Sequence, residues 1–311
     1  MVRVHPRAHV VVASPHPSYL ALAQSFKRSL LAENKSPRTI ETYLEAVRFF
    51  GEFLAERNMP QVVENIHREH VEEFITDQLS RHTPGTAHNR YRSLHSFFNW
   101  LVAEDEIAES PMARMSPPKL PEAPPDVMTE TQLQALIQTC EGRAFADRRD
   151  MAIVRLLIDT GMRRMEIAGL RLEDLDLDVN VAKVHGKGDR VRFCQYGRKA
   201  AVALDRYLRA RAQHPEAEST ALWLGRHGPM TPNGLYQAVR ERARVAGVEH
   251  VYTHLFRHTW AHLYLANGGQ ETNLMYNAGW RSRAMLQRYG ASALGERARN
   301  EAKRLSPGDR L

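Results

Sequence analysis

The sequence predicts a mostly α protein with a small β-sheet or hairpin, split into an N-terminal helical head and a C-terminal mixed α+β body. Three observations carry this. Apolar residues recur at helical spacing along most of the 311 residues. Val179 to Val184, a Gly186-Lys187-Gly188-Asp189 turn and Val191 to Phe193 read as one hairpin. Between the halves, Pro111 to Pro125 reads PMARMSPPKLPEAPP, six prolines in fifteen residues with no helical period, which predicts an extended linker. The expected division is a flexible tail over 1–17, a head over 18–110, the linker over 111–125 and the body over 126–311.

In the head, Ser36 reads as an N-cap with Pro37 at the first helical position. Ile40, Tyr43, Leu44 and Val47 then fall at i, i+3, i+4, i+7, and Phe50 and Leu54 continue the stripe. A second stripe runs through Val71, Phe74, Ile75 and Leu79. A third helix starts near Thr86 and carries Tyr91, Leu94, Phe97, Phe98 and Leu101. Phe97, Phe98 and Trp100 read as core. His88, Arg90, Arg92 and His95 decorate the same helix, either as a solvated face or as a helix laid in a DNA groove.

In the body, Thr129 to Gln132 is a capping box opening a helix through Leu133, Leu136 and Ile137. Asp147 and Asp150 mark the next, which runs to Thr160 and stops at Gly161. After the hairpin, helices are expected over Lys199 to Arg211, Pro232 to Val245, Thr253 to Ala266, Thr272 to Ala278 and Ser282 to Tyr289, with a tail after Ser292.

Charge is uneven. Met1 to Leu120 holds 14 basic and 14 acidic residues, whereas the remainder holds 29 and 22, so the whole net charge of +7 lies in the C-terminal part. Most of the basic residues are arginine, which suits bidentate contact with phosphate. The body therefore points to a polyanion partner. No apolar run approaches the ~20 residues of a membrane helix, and Val10 to Ala13 is too short for a signal-peptide core. Cys140 and Cys194 form neither a disulfide framework nor a zinc spacing. They read as two isolated thiols in a reducing cytosol.

Four pieces could carry chemistry. Arg163 and Glu166 follow Gly161 and share a helix face: the pair fits a surface ion pair, or an arginine fork held for a phosphate. Lys187 sits between two glycines, as a solvated turn residue or a mobile general acid. His254 and Arg257 share a face of one helix, and His254, His258 and His262 fall at i, i+4, i+8. That spacing could line up metal ligands, but the His-Glu-x-x-His pattern fails. Tyr289 closes a short helix before Gly290, either as packing or as a nucleophile.

In order and spacing these pieces resemble the tyrosine recombinase (phage integrase) family, of the Xer/Cre-like kind, over about residues 18 to 305. Gly161 to Leu170 looks like the first arginine motif, with Arg163 and Glu166 at its positions. Gly186-Lys187-Gly188 matches the hairpin lysine, and His254-x-x-Arg257-His258 the histidine and second-arginine motif. Trp280 stands where most members have histidine and Cre-like members tryptophan. Tyr289, nine residues on, falls on the nucleophile. Phe256 stands where leucine is common. The head looks like the family's SAM-like core-binding domain, and before Ser18 the sequence reads only as a tail, with no arm-site domain.

The resemblance implies a two-domain clamp around duplex DNA and a site-specific recombinase that cuts and rejoins it through a 3′-phosphotyrosyl intermediate. Arg163, Lys187, His254, Arg257, Trp280 and Tyr289 would be catalytic, supported by Glu166 and His258. Ser36, Arg38, Tyr43, His88, Arg90 and Arg92 are the head residues expected at DNA. No cofactor or metal is expected. The implied partners are double-stranded DNA and further copies: a homotetramer on two paired sites, a monomer or weak dimer when free, with room for a directionality factor. The expected setting is the bacterial cytoplasm, on the nucleoid, with no membrane contact. Two other readings share these residues: a type IB topoisomerase, and a non-catalytic DNA-binding regulator derived from a recombinase. A zinc hydrolase built on the three histidines is a further alternative.

Overall fold

The computed structural model describes residues 19–121, 125–186, 190–280, 282–283, 286, 295, 298–299, 301–306 and 308–310. The chain divides into two compact units, Met1–Glu122 and Ala123–Leu311. The fold is mostly helical with small sheets, as the sequence predicts.

The first unit holds α1 (Tyr19–Ala32), α2 (Pro37–Glu56), α3 (Arg68–Arg81) and α4 (Pro84–Ala103). Two helices start alike. Ser36 accepts the Thr39 N–H before Pro37, and Thr83 accepts the Thr86 N–H before Pro84. The capping oxygen takes an orphan donor, and proline loses nothing where no intrahelical bond is made. Phe26, Phe50, Phe74, Phe97 and Phe98 are fully buried. They meet edge-on, Phe50 and Phe74 with centroids 5.2 Å apart and Phe26 and Phe97 at 5.3 Å, the arrangement ring quadrupoles favour. The start of the proline-rich segment belongs to this core: Met112 is fully buried, and the Tyr91 hydroxyl donates to the Met115 carbonyl at 2.7 Å.

In the second unit α5 (Glu130–Gln138), α6 (Phe145–Thr160) and α7 (Arg164–Ala168) precede a three-stranded antiparallel sheet of order β1-β2-β3. Its strands are β1 (Leu175–Asp176), β2 (Val181–Gly186) and β3 (Arg190–Gln195). Then come α8 (Arg198–Arg211), the two-residue strands β4 (Leu224–Gly225) and β5 (Gly228–Pro229), α9 (Pro232–Val245), α10 (Thr253–Ala266) and α11 (Glu271–Ala278). The first hairpin strand starts two residues later than the apolar run suggests. Asn180 takes a positive φ of 55°, so Val179 lies in the turn and is 56% exposed.

Three polar anchors, buried or partly buried, tie α9 and α7 to the body. Arg242 of α9 donates to Asp150 at 2.9 Å and Asp147 at 2.8 Å at the start of α6, and to the Thr139 carbonyl. Trp223 Nε1 donates to the Ile167 carbonyl of α7 at 2.7 Å. Arg211 donates to the carbonyls of Ala217, Ser219, Ala221 and Leu222 and so fixes the loop carrying Trp223. Among the described residues no helix is long and apolar enough to cross a membrane. Both cysteines are free and buried.

Gly161 ends α6 in the left-handed region at φ 56°, and a Cβ there would sit inside the Trp260 ring. Left-handed strain of ~1–2 kcal/mol and overpacking of ~1–3 kcal/mol both oppose any side chain. Gly161→Ala is expected to lose about 2–5 kcal/mol in urea unfolding; a loss below ~0.5 kcal/mol would contradict the packing described.

Candidate active site

Arg163 is the N-cap of α7. Glu166, one turn on, accepts the Arg163 backbone N–H at 2.8 Å and its Nη1 at 2.8 Å. The Glu166 side chain is buried, while that of Arg163 remains 38% exposed. The same carboxylate is gripped from β3 by a residue the sequence reading did not single out. Arg192 donates Nη1 to Glu166 Oε1 at 2.9 Å and Nη2 to Oε2 at 2.6 Å, and its Nε reaches the Asn277 carbonyl at 3.1 Å. Strand alternation in the sequence hides Arg192: Val191 and Phe193 read as the inward face, yet they are 45% and 56% exposed, so the arginine between them points inward.

Arg257 is fully buried on α10. Its Nη1 donates to the Gly161 carbonyl at 2.9 Å, and its Nη2 donates to the Ala278 carbonyl. The Trp280 ring lies 5.4 Å from the Arg257 guanidinium. Trp280 is itself buried in a small apolar cluster with Trp260, Leu265, Leu274, Ala278 and Leu286. His254, at the start of α10, stays open to solvent on one side. Partial burial, then the charges of Arg257 and Arg163, lower its pKa, against a smaller opposing pull from Glu166. The site therefore favours a neutral imidazole there, which can take up a proton. His258 packs edge-on to His254, with ring centroids 6.1 Å apart. No group of three His, Cys, Asp or Glu placed to hold a metal occurs among the described residues.

The structure thus gathers Arg163, Glu166, His254, Arg257 and Trp280. Lys187 and Tyr289 lie outside the described residues. In the head, Tyr43, His88 and Arg92 line one cleft of about 630 Å3 with Tyr91, His95 and Asn99. His88 also bonds the Pro118 carbonyl, and Tyr43 stacks on Phe26. Ser36 serves as the α2 cap, Arg38 pairs with Glu41 at 2.7 Å, and Arg90 lies over the Phe49 ring at 4.4 Å.

Burial alone would raise the Glu166 carboxyl, but the bonds from Arg192 and Arg163 outweigh it and hold the pKa at about 2 instead of 4.5. A carboxyl held below its unfolded value adds stability above that value and loses it as pH falls toward the folded pKa. Glu166 should contribute about 3 kcal/mol of pH-dependent stability, lost between roughly pH 5 and pH 2. Glu166→Gln is expected to flatten this part of the acid unfolding curve. An unchanged slope in denaturant titrations across that window would refute the linkage.

The phage integrase family model matches residues 126–295, and the phage integrase N-terminal SAM-like domain model matches residues 22–108. Tyrosine recombinase XerC of Bacillus licheniformis is 30% identical over 251 residues, 78% of this chain and 81% of the relative. A crystal structure of XerA recombinase aligns with a TM-score of 0.52 at 25% identity, covering 93% of this chain and 99% of that one. A lambda integrase tetramer bound to a Holliday junction shares the fold at a TM-score of 0.70 and 13% identity, covering 90% and 79%. With both family models in register with the two units and a 30% identical tyrosine recombinase over most of its length, the chain belongs to the phage integrase family and is a tyrosine site-specific recombinase.

Proposed function

We propose that this recombinase exchanges duplex DNA strands by two successive phosphoryl transfers, with Tyr289 as nucleophile. The observation that supports this reading is the joining of Arg163, Glu166, Arg257 and Trp280, far apart in sequence, around the solvent-open His254. Arg163, Arg257 and His254 donate to the non-bridging oxygens of the scissile phosphate, with a fourth donor from the Trp280 indole N–H. The Tyr289 oxygen forms a bond to phosphorus as the bond to the 5′-oxygen breaks. His254 assists removal of the tyrosine proton, and Lys187 protonates the leaving 5′-oxygen. The 3′-phosphotyrosyl link stores the energy of the broken diester, so a 5′-hydroxyl from a partner strand reseals it without a nucleotide.

DNA binding and multimerisation accord with the DNA-bound tetramer of lambda integrase. We assign the two units, a head with its DNA-facing residues around Tyr43, His88 and Arg92 and a catalytic body, to one recombinase that acts as a homotetramer on two paired sites. A directionality factor fits this scheme, as does action on the nucleoid in the cytoplasm.

Tyr289→Phe is expected to bind its DNA site and form no covalent adduct on a nicked suicide duplex; adduct at normal yield on a denaturing gel would sink the assignment. Lys187→Ala is expected to cut ordinary DNA about 10²–10⁴-fold more slowly. On a substrate with sulfur at the 5′ leaving position the loss should nearly vanish, because a thiolate leaves without a proton. Equal slowing on both substrates removes Lys187 from the role of general acid.

A further inference from the structure

We propose that Arg192 is a positioning residue of the recombination site, locking the Arg163 guanidinium, strand β3 and the end of α11 into one arrangement through Glu166 and Asn277. The inference rests on the functional reading above and adds a residue to it.

An arginine at an inward strand position is costly unless its charge is matched. Among the described residues, the Arg192 guanidinium bonds outside its own strand to the site: twice to Glu166 and once to the Asn277 carbonyl. The Glu166 bonds run in parallel, the fork-to-fork geometry that fixes orientation as well as charge. Each Glu166 oxygen thereby accepts once from Arg192 and once from Arg163, which uses the acceptor sites of a carboxylate fully.

Without Arg192, the Arg163–Glu166 pair would be an i,i+3 contact of a half-exposed arginine, weak and mobile. With it, Glu166 is immobilised from a second element and Arg163 inherits that order. Asn277 and Ala278 carry carbonyls at the C-terminus of α11, where the helix leaves acceptors unused. Arg192 takes the first and Arg257 the second. The two arginines therefore set where the chain leaves α11 toward Gly279 and Trp280. Arg192 also stands on the strand that follows Lys187 in sequence. The charged and titratable groups facing Glu166 are Arg163 at the start of α7, Arg192 and Cys194 on β3, and His254 on α10.

The test uses the full chain and a nicked suicide duplex, with single-turnover cleavage measured at saturating protein from pH 5 to 8. Arg192→Met should cleave about 10²-fold more slowly at neutral pH and gain an acid limb, from Glu166, that wild type lacks. In Glu166→Gln/Arg192→Met that limb should vanish, and the rate should fall no further than in Arg192→Met alone. Arg192→Lys, which keeps the charge without the fork, should lose the limb but remain about tenfold slow. If Arg192→Met fails to fold, the double variant, which leaves no buried unpaired charge, and the lysine variant carry the same comparison against Glu166→Gln. Losses that add across the double variant, or an Arg192→Met profile of wild-type shape, overturn the assignment while wild-type adduct leaves the functional reading standing. Wild-type protein that forms no adduct overturns that reading, and this one with it.

Discussion

The geometry of the site depends on one buried carboxylate held from two sides. Glu166 lies on a five-residue helix too short to be stable by itself. Its side chain caps that helix by accepting the Arg163 N–H, binds the Arg163 guanidinium and receives the Arg192 fork. The same group thus fixes a helix start, orients an arginine and anchors a strand. Its desolvation cost is several kcal/mol even after relaxation, and the downward pKa shift records that the arginine bonds exceed it. Remote contacts support the clamp: Trp223 holds the α7 backbone and Arg211 holds the loop behind Trp223.

Helix ends supply the second half of the arrangement. α6 and α11 both stop at a glycine with positive φ, Gly161 at 56° and Gly279 at 64°. Stopping there leaves carbonyls without intrahelical donors, at the negative end of each helix dipole. Arg257 spans the two ends, and Arg192 takes the neighbouring carbonyl of the second. Backbone acceptors on rigid helices hold a guanidinium more firmly than exposed side chains, which must first lose rotamer freedom.

These causes also explain what could be read from the sequence. α2 and α9 begin where Ser36-Pro37 and Thr231-Pro232 dictate, and α6 ends at its glycine, because caps and prolines act locally. Two-residue strands β1, β4 and β5 are too short for any period. The hairpin was recognisable by its turn and misleading by its apolar residues, since Val191 and Phe193 face out and Arg192 faces in. Arg163, Glu166, His254 and Arg257 were legible through their spacing within a family pattern. Arg192 was not, because its partner Glu166 is 26 residues away and the pairing exists only in three dimensions.

Among the described residues the charges bearing on His254 are those of Arg257, Arg163 and Arg164, against the single carboxylate of Glu166, so the balance there is positive. A folded protein pays for such an excess with self-repulsion unless an anion completes it, and a phosphodiester gaining charge in its transition state is such an anion. Burial and then this field lower the pKa of His254. A titratable base at position 280 would add a further charge, or withhold it, according to pH. Trp280 instead places a ring over Arg257 at 5.4 Å, attracting the guanidinium through its quadrupole without titrating. The positive excess at the site is then set by arginines and one strongly ionised carboxylate, groups that keep their charge across the physiological range, and proton traffic is left to residues that face the reacting oxygens.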